Sequence, residues 1–174
     1  LLPLRFCVFM SSATPATIGI DFGTTNTVVS MTWGDGPAQL VKFEVEDKDL
    51  FAFRSALSFQ LFEDDNGGAP ERVIEAGPFA IEAYVEDPLE TRFIQSFKTF
   101  AASAAFTETR IDNKRYRFED LLSAFLLRVK HHAGDQMKSL PSRIIVGRPV
   151  TFAGNNPDEH LAMSRYEEAF KRLG

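Results

Sequence analysis

The fold of this chain is decided by one stretch near its start, Ile18-Gly19-Ile20-Asp21-Phe22-Gly23-Thr24-Thr25-Asn26-Thr27-Val28-Val29-Ser30. Apolar, mostly β-branched residues stand on both sides of a short polar segment, and such runs are typical of buried strands. The polar segment holds a carboxylate, a glycine and several hydroxyl and amide side chains. The stretch therefore predicts a strand, a tight polar turn and a second strand.

The polar turn carries groups that suit a phosphate together with a metal ion. Gly23 is expected to adopt a backbone conformation closed to other residues and to leave N–H groups free, and successive N–H groups in such a turn form a concave anion site. The hydroxyls of Thr24, Thr25 and Thr27 can add donors. Asp21 can hold a hydrated Mg²⁺, because magnesium keeps several waters and takes few carboxylates. The alternative is an ordinary hairpin with a polar turn, which is common.

Length and composition indicate a globular chain with a sizeable core. The 174 residues correspond to one large domain or two small subdomains, and the apolar content is 44%. Phenylalanine is over-used, at 17 residues, which predicts an aromatic core. The net charge of -5, with both signs interspersed, argues against a nucleic-acid groove. The single Cys7 excludes a disulfide framework and fits a reducing compartment, so we expect a cytoplasmic protein.

Residues 1–16 are expected to lie outside the fold. The first ten residues are apolar, but they are too short to span a bilayer. They also lack the basic region and small-residue cleavage site of a signal peptide. We interpret residues 1–16 as a disordered or spurious extension, with the true start near Met10. A degraded signal sequence is the alternative.

The middle of the chain alternates between strands and one short helix. Residues 39–45 alternate apolar and polar side chains and are predicted to form the third strand of an antiparallel meander. Residues 54–62 and 72–76 flank an Asn-Gly signal and predict a hairpin. Residues 77–84 begin with Gly-Pro and continue with helix formers, which predicts a short helix. A small exposed hairpin is predicted over residues 107–118.

Two amphipathic helices and one strand are predicted in the second half. Residues 118–138 place apolar side chains at helical spacing, with acidic residues first and a lysine last, and Gly134 can end this helix early. Residues 142–147 contain the apolar run Ile144-Ile145-Val146 and predict a buried strand. Residues 158–173 predict a final helix that is capped by Asp158.

His131 and His132 are the histidines that a metal hypothesis would use. Because they are adjacent, they point in different directions on a helix, whereas a metal pair prefers a spacing of three or four residues. We interpret both as solvated side chains.

The order Gly-Ile-Asp-Phe-Gly-Thr-Thr-Asn at residues 19–26 closely resembles the first phosphate motif of the actin, sugar-kinase and heat-shock-70 superfamily. The double threonine is typical of heat shock protein 70 (DnaK-like) chaperones. The Gly-Arg-Pro segment at residues 147–149 is similar to their YegD-like branch. The resemblance extends over residues 17–174 and is most specific at the turn.

The resemblance implies an α/β fold, namely the first lobe of an actin-like ATPase domain with a ribonuclease-H-like core. A mixed sheet with an opening antiparallel meander would pack against the helices at 118–138 and 158–173. This lobe would span residues 17–174, with a small α+β insert at about 45–117. The family's second lobe, adenosine-binding motif and peptide-binding domain have no counterpart in these residues.

The resemblance also implies a function and its site residues. Asp21 would hold Mg²⁺ through water, and Gly23, Thr24, Thr25 and Asn26 would cradle the phosphates of ATP or ADP. The parent activity is that of an ATP-binding chaperone, whose unfolded client proteins bind through further C-terminal regions. Neither a nucleic acid nor a membrane is expected as a partner.

One departure from the family concerns hydrolysis. Four residues after the glycine that corresponds to Gly77, the family carries a lysine that reaches the terminal phosphate, and Ile81 stands there in this chain. Lys98 is the nearest basic candidate for a phosphate partner, but we interpret it first as a surface lysine beside a phenylalanine-rich core face, since lysines are mostly exposed. Pro149 aligns with a proline that relays between nucleotide and substrate domain, with a rigid strand exit as the alternative. We therefore expect ATP hydrolysis by this chain to be impaired.

Two other function classes stay open. A non-catalytic pseudo-ATPase, an interaction module that kept the fold and lost the nucleotide, is favoured by Ile81. A sugar- or acetate-kinase-type enzyme would need a catalytic base in strands beyond residue 174, and the Thr24-Thr25 pair argues against it.

Overall fold

The computed structural model describes residues 17–173 apart from 35, 64–66, 142, 150–151 and 153–155. The predicted N-terminal extension and most of the Asn-Gly turn lie outside the described residues. The strands are β1 (Thr17–Phe22), β2 (Asn26–Thr32), β3 (Gln39–Leu40), β4 (Phe43–Val45), β5 (Lys48–Leu50), β6 (Phe53–Arg54), β7 (Ala56–Phe62), β8 (Glu71–Ala76), β9 (Arg92–Gln95), β10 (Thr109–Ile111), β11 (Lys114–Tyr116) and β12 (Ile144–Gly147). The helices are α1 (Gly77–Glu86), α2 (Phe118–His132) and α3 (Glu159–Lys171), with 3-10 turns at Phe97–Phe100 and Gly134–Met137.

The opening hairpin forms the centre of the largest sheet. β1 and β2 pair antiparallel, β3 and β6 add to β2, and β12 pairs with β1 in parallel. The predicted strand, turn and strand are therefore confirmed, as is the α/β class. Side chains on a strand alternate between its two faces, so Ile18, Ile20 and Phe22 are buried while Asp21 faces solvent.

The third strand of the predicted meander is interrupted. The sequence predicts one strand over 39–45, whereas β3 ends at Leu40 and β4 starts at Phe43. Gln136 provides the reason, because its side-chain amide donates to the Lys42 carbonyl at 2.7 Å and accepts from the Lys42 N–H at 3.0 Å. Backbone groups that pair with a side chain are not available to a neighbouring strand. β4 pairs instead with β5.

A second sheet is built from the middle of the chain. β7 is its central strand, with β8 and β9 antiparallel on its two sides, and α1 follows β8 and packs on β7. The predicted hairpin at 54–76, the short helix and the hairpin β10–β11 are confirmed. The strand predicted over 54–62 is split at Ser55, where β6 joins the first sheet and β7 the second.

Aromatic rings join the sheet to the helices, as the phenylalanine content predicts. The centroid of the Phe22 ring lies 5.6 Å from that of Phe125 in α2 and 6.3 Å from that of Tyr166 in α3. Seven phenylalanines are among the largest fully buried side chains: Phe22, Phe43, Phe53, Phe59, Phe97, Phe118 and Phe125. The helix predicted over 118–138 ends earlier, at His132, and a 3-10 turn starts at Gly134, the residue at which an early end was considered. Asp158 caps α3, as predicted, by accepting from the Leu161 N–H at 2.9 Å. Among the described helices, none has the length and apolar character that crossing a membrane requires.

Two predictions about exposure are wrong. The strand predicted to be buried, β12, is half exposed, and the exposed fraction of Ile145 is 51%. The reason is that, among the described strands, β12 pairs only with β1.

The side chain of His132 is half-buried rather than solvated. Its ring stacks on the Phe79 ring, with 3.9 Å between the centroids, and its Nε2 atom lies 2.9 Å from a Glu75 carboxylate oxygen. Burial lowers the pKa of His132, although the Glu75 carboxylate opposes this shift. The contact ties α2 to β8.

Gly77 and Gly134 form a matched pair for testing how closely α1 packs on β6. Both have left-handed φ angles, 66° and 57°. A Cβ on Gly77 would overlap the Phe53 ring, whereas a Cβ on Gly134 would meet nothing within 4 Å. We expect Gly134→Ala to lower the free energy of unfolding by about 1–2 kcal/mol, because alanine is strained in the left-handed conformation. Gly77→Ala should lower it by roughly 1–3 kcal/mol more, because the added Cβ also overpacks the core. Urea denaturation measures both losses, and equal losses would contradict the packing argument.

Candidate functional site

The turn between β1 and β2 presents polar side chains to solvent. Asp21, Thr24, Thr25 and Asn26 are exposed, and Gly23 is partly buried between them. The predicted site residues of the turn therefore share one short, solvent-facing segment that is anchored by a strand at each end.

Gly23 is needed for close packing and not for an unusual dihedral angle. Its φ lies outside the left-handed region, where the structure places four other glycines. Its N–H donates to the Asn26 carbonyl oxygen at 3.0 Å, and a Cβ at this position would overlap that same oxygen. The predicted reason for this glycine is therefore wrong, and so is the expectation that its N–H is free. The absence of a side chain lets the turn close.

Thr24 and Thr25 supply the free donors instead. Within the described part of the chain, neither their N–H groups nor their hydroxyls donate a hydrogen bond. Two adjacent N–H groups and two hydroxyls are donors of the kind that an oxyanion accepts. This pair is the part of the turn best suited to bind phosphate oxygens.

Thr27 does not belong to this donor set. Its side chain is buried, and its hydroxyl shares a hydrogen bond with the Ser55 hydroxyl at 2.9 Å. The Ser55 N–H donates to the Thr25 carbonyl, also at 2.9 Å. Ser55 thus holds the turn through two contacts from the strand break between β6 and β7. The sequence carries no signal for this role, because it depends on where two distant segments meet.

The carboxylate of Asp21 is open to a hydrated cation. Among the described residues it accepts no hydrogen bond and forms no ion pair. Its parallel partner is Gly147, where a Cβ would lie 3.1 Å from an Asp21 carboxylate oxygen. Nearby in α3, burial and the Asp21 charge both raise the pKa of Tyr166, whose buried hydroxyl has no partner among the described residues. A single free carboxylate fits Mg²⁺ held through its water shell.

Lys98 lies at the turn. Its ammonium group donates to the Phe22 carbonyl oxygen and is 5.7 Å from the centre of the Phe22 ring. Burial lowers the pKa of Lys98, and the Asp21 carboxylate opposes this shift. Lys98 is therefore not an ordinary surface lysine, and its charge sits next to the predicted phosphate site.

The segment that carries Lys98 is held by Arg165 in α3. The guanidinium of Arg165 donates to four main-chain carbonyl oxygens, those of Phe100 (2.8 Å), Ala101 (3.0 Å), Ser103 (3.1 Å) and Phe106 (2.6 Å). At the other end of the segment, Ser96 has a left-handed φ of 56°, which is uncommon for a residue other than glycine. Sequence reasoning missed Arg165, because its helical position gives no information about which carbonyls it faces.

A cavity of about 220 Å³ adjoins the turn. Ten described residues line it, from the turn, from α1 and from the segments 54–56 and 93–96: Thr24, Thr25, Arg54, Ser55, Ala56, Ile81, Tyr84, Phe93, Gln95 and Ser96. Ile81 thus faces the same space as the two threonines, and it places an apolar side chain where the resemblance leads us to expect a lysine. Pro149 is partly buried and follows β12 by two residues, and its relay role stays a prediction.

No protein-family model matches the chain. What can be said of its function therefore depends on the residues of the turn, on Lys98 and on the adjoining cavity.

The coupling of Asp21 to Lys98 can be tested by titration. Because the Asp21 charge raises the pKa of Lys98, we expect Asp21→Asn to lower this pKa further below its ordinary value of 10.5. The folded chain then releases the Lys98 proton before the unfolded chain does, so stability rises with pH between the folded-state pKa and 10.5. NMR titration of the Lys98 ε-carbon measures the shift.

Glu71→Gln is the matched control for this titration, since it removes an exposed carboxylate from β8 and should leave the Lys98 pKa unchanged. An unchanged or raised Lys98 pKa in Asp21→Asn would contradict the inference that the Asp21 carboxylate stabilises the Lys98 ammonium group.

Proposed function

We propose that this chain is the first lobe of an actin-like ATPase domain of the heat shock protein 70 type, YegD-like branch, and that it binds ATP or ADP with Mg²⁺ at the β1–β2 turn. The observation that carries the proposal is that the donors of Thr24 and Thr25 and the carboxylate of Asp21 have no hydrogen-bond partner among the described residues. The sheet supports it, because antiparallel β1 to β3 are extended by the parallel strand β12.

Each group at the turn has a distinct part in nucleotide binding. The N–H groups and hydroxyls of Thr24 and Thr25 donate to phosphate oxygens, and the Asn26 side chain is exposed beside them. Bound Mg²⁺ would supply the charge that offsets the phosphates, with Asp21 orienting its water shell. Lys98 adds a partly buried positive charge, which solvent screens less than it screens an exposed one.

We propose that binding proceeds with little or no hydrolysis. Ile81 lines the cavity beside the threonines and has no group that can neutralise charge on a transferring phosphate. The same observation favours the second candidate function, a pseudo-ATPase interaction module. A cytoplasmic, chaperone-like role toward unfolded proteins belongs to the first proposal and depends on the rest of the family architecture.

The proposal is tested by calorimetric titration of ATP into the purified chain, with and without Mg²⁺. We expect saturable binding with Mg²⁺, weakened about tenfold in Asp21→Asn, which corresponds to roughly 1.4 kcal/mol. With EDTA, Asp21→Asn should bind ATP at least as well as the wild type, because the variant no longer repels the phosphates.

Glu71→Gln again serves as the control, and it should match the wild type under both conditions. The proposal fails if the wild type shows no binding at millimolar Mg-ATP, or if Asp21→Asn binds Mg-ATP as tightly as the wild type. An assay of released phosphate on the same samples would separate binding from turnover.

A further inference from the structure

Arg54 is a cation on β6, the strand that supports the turn. It is exposed, and among the described residues it forms no hydrogen bond and no ion pair. Most arginines of the described chain are engaged with a carboxylate or a carbonyl: Arg72, Arg115, Arg117, Arg128, Arg148, Arg165 and Arg172. An exposed arginine is ordinary by itself, so its surroundings decide whether it has a role.

The surroundings of Arg54 are those of an anion site. Arg54 lines the cavity together with Thr24 and Thr25, and it is the one charged side chain among the described residues of the lining. A single water needs roughly 10–15 Å³ of such space, so about 220 Å³ accommodates a phosphate group with several waters. With a guanidinium and no carboxylate, the cavity favours an anion.

The position of Arg54 relative to the turn is fixed by backbone pairing. Its Cα lies directly opposite Asn26 in the antiparallel register of β2 and β6. The next residue, Ser55, donates its N–H to the Thr25 carbonyl at 2.9 Å. β6 therefore cannot shift without breaking these contacts with the turn. The backbone thus fixes the position of the Arg54 Cα beside the two threonines that we propose to bind phosphate.

We propose that Arg54 binds the terminal phosphate of the nucleotide and makes the site prefer ATP to ADP. This inference rests on the proposed function, because it takes the phosphates to lie at Thr24 and Thr25. The planar guanidinium offers paired donors that match a phosphate, which makes it a strong partner for a terminal group with several free oxygens. The apolar side chain of Ile81, in the same cavity, offers no competing contact.

The experiment compares dissociation constants for Mg-ATP and Mg-ADP, measured by calorimetry on the purified chain. We expect the wild type to prefer ATP about tenfold, which is the size expected of one charge-assisted phosphate contact. Arg54→Ala and Arg54→Gln should reduce the preference for ATP over ADP to within about twofold, mainly by lowering the affinity for Mg-ATP. Arg54→Lys should keep part of it, since an ammonium retains the charge but not the paired donors.

Arg92→Ala is the matched control, because Arg92 is exposed on β9 and does not line the cavity. It should keep the wild-type preference, and thermal unfolding should show all variants folded, since neither arginine is buried.

The possible results separate the inference from the function on which it rests. Equal affinity of the wild type for ATP and ADP, or an undiminished preference in Arg54→Ala and Arg54→Gln, overturns the role of Arg54 while nucleotide binding still stands. Absence of binding of either nucleotide to the wild type overturns the proposed function, and the role of Arg54 with it. Loss of preference in both Arg54 variants, with ADP binding retained, supports both.

Discussion

The burial of the Phe22 ring is the interaction on which the rest of the structure depends. The ring packs against aromatic rings from the 3-10 turn at Phe97–Phe100, from α2 and from α3. Because successive side chains on a strand face opposite ways, holding Phe22 inward holds Asp21 outward. The Phe22 carbonyl also accepts the hydrogen bond from Lys98. One apolar contact thereby sets the place of both a carboxylate and an ammonium group.

The parts of the fold that could be predicted from sequence are those that neighbouring residues determine. The hairpin follows from β-branched runs on both sides of a turn, and α3 follows from Asp158 and helical spacing. The break in the meander could not be predicted, because its cause, Gln136, lies 94 residues from Lys42. The burial of His132 could not be predicted for the same reason, since its partner Glu75 is 57 residues away in the sequence.

The candidate site likewise has some features that neighbouring residues determine and others that depend on distant contacts. Its threonines and its aspartate lie in one short motif and could be named from it, but what each group does depends on contacts that the motif does not contain. Gly23 is fixed by the approach of a carbonyl three residues on. Lys98 and Arg54 reach the turn from two other segments, and only the fold shows that they lie on its borders.

The contacts that Arg165 makes with the Lys98 segment span 59 to 65 residues of sequence. A ribosome delivers the chain from its N-terminus, so β1 and β2 can pair long before α3 has been made. The segment near Lys98 gains its anchor only when α3 emerges. Synthesis therefore separates two parts of the candidate site in time, because the donors of the turn are made first and the segment after Lys98 receives its contacts with Arg165 last. A nascent chain without α3 has the β1–β2 turn, while the segment after Lys98 still lacks the contacts with Arg165.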